Sequence, residues 1–238
     1  MFRVPQAGSR FPSCQGQHED SMPVVQANVI AQPLGNDPGA FLRRNIVTFF
    51  MPDGMSVGDW NQRYGGATVG VGAHRPHHFR VEHVDAVNVR YRGLLYGWHT
   101  NGMMYQVRPH NNGDGTAYFL PWNVDSGYSL SIGANATLFF NAMMNGCSFG
   151  WSAGNGIVRV AHHNIQDANG ATDNGAMLQS LAGYAGRYMR NDYRLTQGGT
   201  GQSTVVGARV NGQWQIWAQI ITTDGGGTFD IQSVRRLL

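Results

Sequence analysis

Cys147 and His162 lie fifteen positions apart in the chain. The segment between them reads as a β-hairpin. Cys147-Ser148-Phe149-Gly150-Trp151 and Ile157-Val158-Arg159-Val160-Ala161-His162 are short runs with aromatic and β-branched residues, joined across Gly154-Asn155-Gly156. A two-residue loop at Gly154-Asn155 sets Cys147 directly opposite His162, with Cβ atoms about 4.5–5.5 Å apart. A loop at Asn155-Gly156 pairs His162 with Phe149 instead and leaves Cys147 a diagonal neighbour on the same face. A three-residue loop would bring His163 opposite Cys147. In each case a thiol meets an imidazole, the minimal nucleophile with its own base. The competing reading is that Cys147 is a small buried hydrophobe in a Gly-rich strand, without chemistry.

The elements that must position this pair are mostly strands. Asn45–Phe50 and Ala86–Tyr91 have strand character, the second with clean alternation. Met103–Arg108 and Thr116–Leu120 flank the turn Asn111-Asn112-Gly113-Asp114-Gly115 and read as a hairpin. Ser203–Val210 and Gln213–Ile221 read as another, joined at Asn211-Gly212. Helix signals are few: Ala176–Ala185, and a short turn at Pro38–Arg44. The expected class is α/β and β-rich, a β-sandwich of mixed or antiparallel sheets flanked by a few short helices and long loops. Residues 1–24 read as a flexible N-terminal arm, Pro-, Gly- and Gln-bearing and without periodicity. Residues 25–238 read as a single domain.

Composition supports the strand-rich class. The 238 residues include 33 glycines, and only 13% are charged. The only glutamates are Glu19 and Glu82. Lysine is absent, so all 17 basic residues are arginine. Few Glu and Lys beside many Gly disfavour helices. The absence of lysine has two readings of equal standing: selection against ubiquitin-accepting amines in a foreign cytosol, or a genome biased toward Arg codons. A net charge of +3 from scattered arginines marks no nucleic-acid face. Cys14 and Cys147 are the only cysteines, and Cys14 lies in the expected arm, so no disulfide framework is expected. No stretch has the apolar length of a membrane span, and the N-terminus has no signal-peptide core.

Other clusters carry less. His74, His77, His78, Glu82 and His83 are near one another in sequence, but Pro76 breaks any helical ligand pair, and a polar loop is the expected form. Phosphate-cradling Gly-x-x-x-x-Gly-Lys and nucleophile-elbow Gly-x-Ser-x-Gly patterns are both absent. Trp98, Trp122 and Trp151 read as core or rim residues.

Three stretches resemble a known family. Leu120-Pro121-Trp122, Thr137-Leu138-Phe139-Phe140-Asn141-Ala142-Met143-Met144-Asn145-Gly146-Cys147 and Val160-Ala161-His162 are similar to the active-site region of the Burkholderia lethal factor and cytotoxic necrotizing factor family of bacterial toxins. Ser203–Ile221 resembles that family's C-terminal hairpin. The resemblance covers residues 115–165 and 200–221. The family's Leu-Ser-Gly-Cys reads Met144-Asn145-Gly146-Cys147 here, with Asn145 in place of Ser.

The resemblance implies a Cys-His glutamine deamidase. Cys147 is then the nucleophile and His162 its base. Asn141 is the position whose main-chain carbonyl orients the histidine, and Tyr188 matches the family's site tyrosine. Gly146, with Asn145 beside it, lies where an oxyanion is held. No metal or cofactor is implied. The substrate is a host protein, a Rho-type GTPase or a translation-initiation helicase in the family. The chain is expected as a monomeric effector that leaves the bacterium without a classical signal peptide and acts in the host cytosol, with no nucleic-acid or membrane partner. A transglutaminase or cysteine peptidase would use the same dyad, and a sugar- or protein-binding β-sandwich would use none.

Overall fold

The computed structural model describes residues 22–49, Asp59, 74–93, 97–194 and 201–238. Cys14 and most of the expected arm lie outside the described residues. At the expected boundary between arm and domain, Val24 pairs with Glu82 and Val25 with Val81.

The described chain is strand-rich. Its strands are β1 (Val24–Val25), β2 (Ile46–Phe49), β3 (His77–His83), β4 (Asn88–Arg92), β5 (Trp98–Gly102), β6 (Met104–Pro109), β7 (Gly115–Leu120), β8 (Ser126–Ile132), β9 (Leu138–Met144), β10 (Ser148–Gly154), β11 (Ile157–Asn164), β12 (Gly186–Tyr188), β13 (Gln202–Val210), β14 (Gln213–Thr223) and β15 (Thr228–Arg236). The helices are short: α1 (Asn28–Asn36), α2 (Pro38–Leu42), α3 (Asn174–Ser180) and α4 (Arg190–Tyr193).

Two sheets pack face to face. The large one runs β2-β6-β3-β7-β9-β13-β14-β15-β4-β5, with β1 added on β3. The small one runs β12-β10-β11-β8. The large sheet is mixed: β2–β6, β7–β9 and β15–β4 are parallel, and its other pairs are antiparallel. This is the expected β-rich sandwich with few, short helices.

Strand β9 shows why the layers form. Phe140 and Ala142 face a core shared with Ile30, Leu34 and Leu42 of the first two helices. Phe139 and Met144 face the core between the sheets, with Phe149, Val160 and Ile216. A strand buried on both faces reads as a nearly continuous apolar run, as Leu-Phe-Phe-Asn-Ala-Met-Met does. The ladder between β9 and β13 shifts between Ser203 and Val205. That irregularity reverses the parity of β9, so even-numbered Met144 faces the same core as odd-numbered Phe139.

Two hairpins follow from local turn chemistry. Asn155 and Gly156 have φ of 52° and 75°, and Asn211 and Gly212 have φ of 50° and 78°. Positive φ at both central residues is the two-residue turn whose twist matches flanking strands. The expected hairpin of residues 103–108 with 116–120 does not form. Strand β3 lies between β6 and β7 and is antiparallel to both. The connecting turn was legible, but β3 takes the hydrogen-bonding edges of β6 and β7 that would have faced each other, a long-range pairing that a local reading cannot see.

Helices differ at their ends from expectation. Asp173 caps α3 by accepting from the Ala176 N–H at 2.9 Å, and the helix stops at Ser180. Leu181 and Tyr184 then continue in turns and pack with Ala161 on the outer face of the small sheet. Helix α1 gave no sequence signal, since Pro33 and Gly35 sit inside it, yet Ile30 and Leu34 bury one face at i,i+4 spacing. Helix α2 follows Asp37, which accepts from the Ala40 N–H at 2.9 Å. Gln219 Nε2 donates to the Leu42 carbonyl, and to that of Asn45 at 2.8 Å, tying this helix to the large sheet.

Candidate functional site

The hairpin takes the register that pairs Phe149 with His162 and Ser148 with His163. Cys147 immediately precedes β10. One step further along the ladder it is the diagonal neighbour of His162, a spacing of about 7–8 Å between backbones. The direct pairing with a loop at Gly154-Asn155 is excluded by the positive φ at Asn155 and Gly156. The pairing of Cys147 with His163 is excluded too. His163 points to the outer face, where its Nδ1 lies 2.6 Å from Ser180 Oγ of α3.

His162 is fully buried between the sheets and faces Asn141 of β9. Its Nδ1 lies 3.0 Å from Asn141 Oδ1. The Asn141 amide nitrogen donates to the Ala142 carbonyl at 2.7 Å, which fixes the amide's orientation. Oδ1 is therefore the acceptor, and Nδ1 carries the proton. His162 Nε2 is left as the lone-pair nitrogen, buried and without a hydrogen-bond partner. The orienting group is thus the Asn141 side chain, where its main-chain carbonyl was expected.

No hydrogen bond joins Nε2 to the Cys147 thiol, which is itself 4% exposed and packed with Phe149, Met144 and Tyr193. Burial pushes the thiol up to about 12. A backbone hydrogen bond from Asn145 and the charge of Arg190 act in the other direction. Burial, with the nearby His163, pushes His162 down to about 3. Both groups are consequently neutral in this closed form: a protonated thiol beside a free-base imidazole.

The segment before Cys147 makes a sharp turn. Gly146 has φ of 114°, a conformation that side-chain-bearing residues rarely adopt, and a Cβ there would meet Thr172 Oγ1 at 3.0 Å. The loop that supplies Thr172 is closed by the Asp173 N–H donating to the Ile165 carbonyl at 2.9 Å. Asn145 is exposed at the surface of this turn.

The tyrosine that touches this turn is Tyr193 of α4, which the sequence reading did not single out. The Gly146 N–H donates to its hydroxyl at 2.9 Å, and the hydroxyl donates to the Cys147 carbonyl at 2.8 Å. Tyr193 thus brackets both peptide groups around Gly146 and Cys147. The Gly146 N–H, expected to serve an oxyanion, is already engaged. Tyr188, taken from the family match, pairs across strands with Phe149. Its hydroxyl lies 3.0 Å from Ser203 Oγ, and its ring stands 5.5 Å from that of Tyr193. Burial pushes Tyr188 up to about 12 and Tyr193 higher still. Tyr193 lies 46 residues from Cys147, and no spacing in the sequence signals the contact.

The structure therefore brings Asn141, Gly146, Cys147 and His162 to one corner, where β9 leaves the large sheet and β10 enters the small one. Tyr188 stands beside them without a bond to either member of the dyad. Among the described residues no group of three or more His, Cys, Asp or Glu side chains converges as metal ligands would. No family model matches the chain, and no curated protein matches it.

Proposed function

We propose that this chain is a Cys-His amidohydrolase that converts a protein glutamine to glutamate. One observation carries the reading: the Asn141–His162 bond at 3.0 Å leaves a lone pair on Nε2, one diagonal step from the only described cysteine. A structural histidine in a core has both nitrogens satisfied as a rule, because an unpaired buried polar atom costs about 1–3 kcal/mol. The second nitrogen of His162 is held ready for a proton.

The steps balance as follows. The thiol proton passes to Nε2, and the thiolate sulfur attacks the carboxamide carbon. The carbonyl oxygen becomes an oxyanion beside the Gly146–Cys147 turn. The imidazolium gives its proton to the departing nitrogen, ammonia leaves, and a thioester remains. Water then attacks that carbon while Nε2 takes a proton, the C–S bond breaks, and the proton returns to sulfur. The product is the carboxylic acid, which ionises to the carboxylate as the released ammonia takes up its proton. In the closed form the thiol and Nε2 are not hydrogen-bonded, so substrate entry must part the cover over Cys147 and shorten that gap.

The family resemblance extends the proposal. The substrate is then a host protein of the Rho-type GTPase or translation-initiation helicase class, and the chain is a toxin active in the host cytosol. The test is mass spectrometry of host-cell lysate for Gln-to-Glu conversion, with Cys147→Ser as control. Conversion by the wild-type chain alone is the expected result, and no conversion in any lysate protein would overturn it.

A second reading has its own observation. Burial and the upward shift of the thiol suit a non-catalytic β-sandwich in which Cys147 is a packing residue. Under that reading Cys147→Ala and Cys147→Ser leave every binding property of the chain unchanged.

A further inference from the structure

Acyl transfer at Cys147 needs donors for an oxyanion, and the turn before the cysteine is short of them. The Gly146 N–H is committed to the Tyr193 hydroxyl at 2.9 Å. Across the ladder stands Asn164, the last residue of β11. Ser148 pairs with His163, so the next position on each strand sets Cys147 opposite Asn164. Strand β11 is still laddered there, because Asn164 pairs with Ser126 of β8. Opposed residues have Cβ atoms about 4.5–5.5 Å apart. Residues two apart share a strand face, so the Asn164 side chain stands on the side of His162, between the sheets. Its hydrogen bond has the same direction: Asn164 Nδ2 donates to the Asn123 carbonyl at 3.3 Å. Asn123 lies in the segment that crosses from Leu120 of the large sheet, the partner of Asn141, to Ser126 of the small one. That segment spans the gap just beyond the Asn141–His162 contact.

We propose that Asn164 is the side-chain donor of the oxyanion hole at Cys147. The proposal rests on Cys147 being the nucleophile of the proposed deamidation. A carbonyl only accepts, so the nitrogen of the Asn164 amide is the atom turned toward Asn123. Asn164 is 8% exposed, yet among the described residues its second amide hydrogen and its Oδ1 have no partner. A nearly buried amide that leaves half of its bonding capacity unused is uncommon in a core. The bond to Asn123 fixes the amide plane, so the second N–H needs little reorganisation when charge develops on the substrate oxygen. As the sulfur adds to the carboxamide carbon, that hydrogen holds the oxygen, and it releases the oxygen when the carbonyl re-forms and ammonia leaves. The other amide of this corner does not replace it. Asn141 Nδ2 donates to the Ala142 carbonyl, and its Oδ1 faces His162.

The test needs no protein substrate. On a Cys14→Ser background, Cys147 is the only thiol. Its acylation by p-nitrophenyl acetate passes through an oxyanion: sulfur adds to the ester carbon, the thiol proton goes to His162 Nε2, and p-nitrophenolate leaves. Its alkylation by iodoacetamide displaces iodide and forms no oxyanion. Asn164→Ala is expected to slow acylation about 100-fold, as loss of one oxyanion donor does, and to leave alkylation unchanged. Both rates falling together would assign Asn164 to packing alone and overturn the proposal, and neither rate falling overturns it equally. Should that variant fail to fold, the wild-type protein still decides. Acetaldehyde, at a concentration that saturates the thiol, adds to Cys147 as a tetrahedral hemithioacetal. One of the two Asn164 Nδ2 proton resonances should then move downfield, and two unmoved resonances overturn the proposal. A wild-type thiol that alkylates but is never acylated defeats this proposal and the deamidase reading together. Acylation that depends on Asn164, with no glutamine converted in any lysate protein, defeats only the proposed activity.

Discussion

His162 Nδ1 of the small sheet and Asn141 Oδ1 of the large sheet meet at 3.0 Å, in the core between them. This contact spans the two sheets, and it sets the tautomer of the one buried histidine that faces the segment carrying Cys147. Asn141→Ala should remove the proton acceptor and leave both ring nitrogens without fixed partners. The expected cost is about 1–3 kcal/mol of stability from the unpaired buried donor, with a larger loss of deamidation than Asn141→Asp shows. Nitrogen chemical shifts of His162 report the tautomer, and a ring still protonated only at Nδ1 in Asn141→Ala would show that something else orients it.

Cys147→Ser should preserve the fold and abolish deamidation. Oxygen and sulfur differ little in volume, but the hydroxyl has no comparable anion at neutral pH. Circular dichroism and glutamine-to-glutamate mass spectrometry together check this. Activity persisting in the serine variant would remove Cys147 as nucleophile.

Acid stability should depend on His162. Its folded-state value is pushed from 6.5 down to about 3 by burial. Between those pH values the unfolded chain binds a proton that the folded chain refuses. Stability is therefore complete above about 6.5 and falls as pH drops toward 3, with a limiting slope of about 1.4 kcal/mol per pH unit. His77, pushed down to about 4 chiefly by burial, adds a change of the same sign. Urea unfolding from pH 7 to 4 should show a shallower slope in His162→Gln than in wild type. Equal slopes would mean that His162 is protonated in the fold.

Tyr193→Phe removes one hydroxyl and two hydrogen bonds, those to the Gly146 N–H and the Cys147 carbonyl. About 1–3 kcal/mol should be lost if the two peptide groups stay buried and unpaired. Tyr188→Phe loses the bond to Ser203, but Ser203 Oγ keeps the Gln219 carbonyl at 3.0 Å, so the cost should be smaller. Thermal unfolding of the two variants ranks them. The reverse order would put the main anchor of this corner at Tyr188.

Gly146→Ala should cost about 1–2 kcal/mol in backbone strain at φ of 114°, with further loss where its Cβ presses on Thr172. Alkylation of Cys147 in this variant checks whether the turn has shifted. An alanine tolerated with unchanged stability would mean that the turn relaxes freely.

What the sequence determined by itself was local. Asn211-Gly212 and Asn155-Gly156 favour two-residue turns, because residues tolerant of positive φ suit both central positions, and whichever turn forms sets the register of its hairpin. The Gly-rich, Glu- and Lys-poor composition excluded a helical protein. Cys147 and His162 could be placed on one hairpin, and Asn-Gly favoured the turn that forms, but the choice among Gly154-Asn155, Asn155-Gly156 and a three-residue loop was made only by the folded backbone. The remainder depends on contacts between residues distant in the chain, which leave no periodic trace. Strand β3 enters between β6 and β7, and this insertion cancelled a hairpin that the turn residues favoured. The Asn141 side chain reaches His162 only because two sheets stack, and Tyr193 reaches Cys147 only because β12 carries α4 to the corner of the sandwich. Loop closure and burial set these pairings, and both are properties of the whole packed chain.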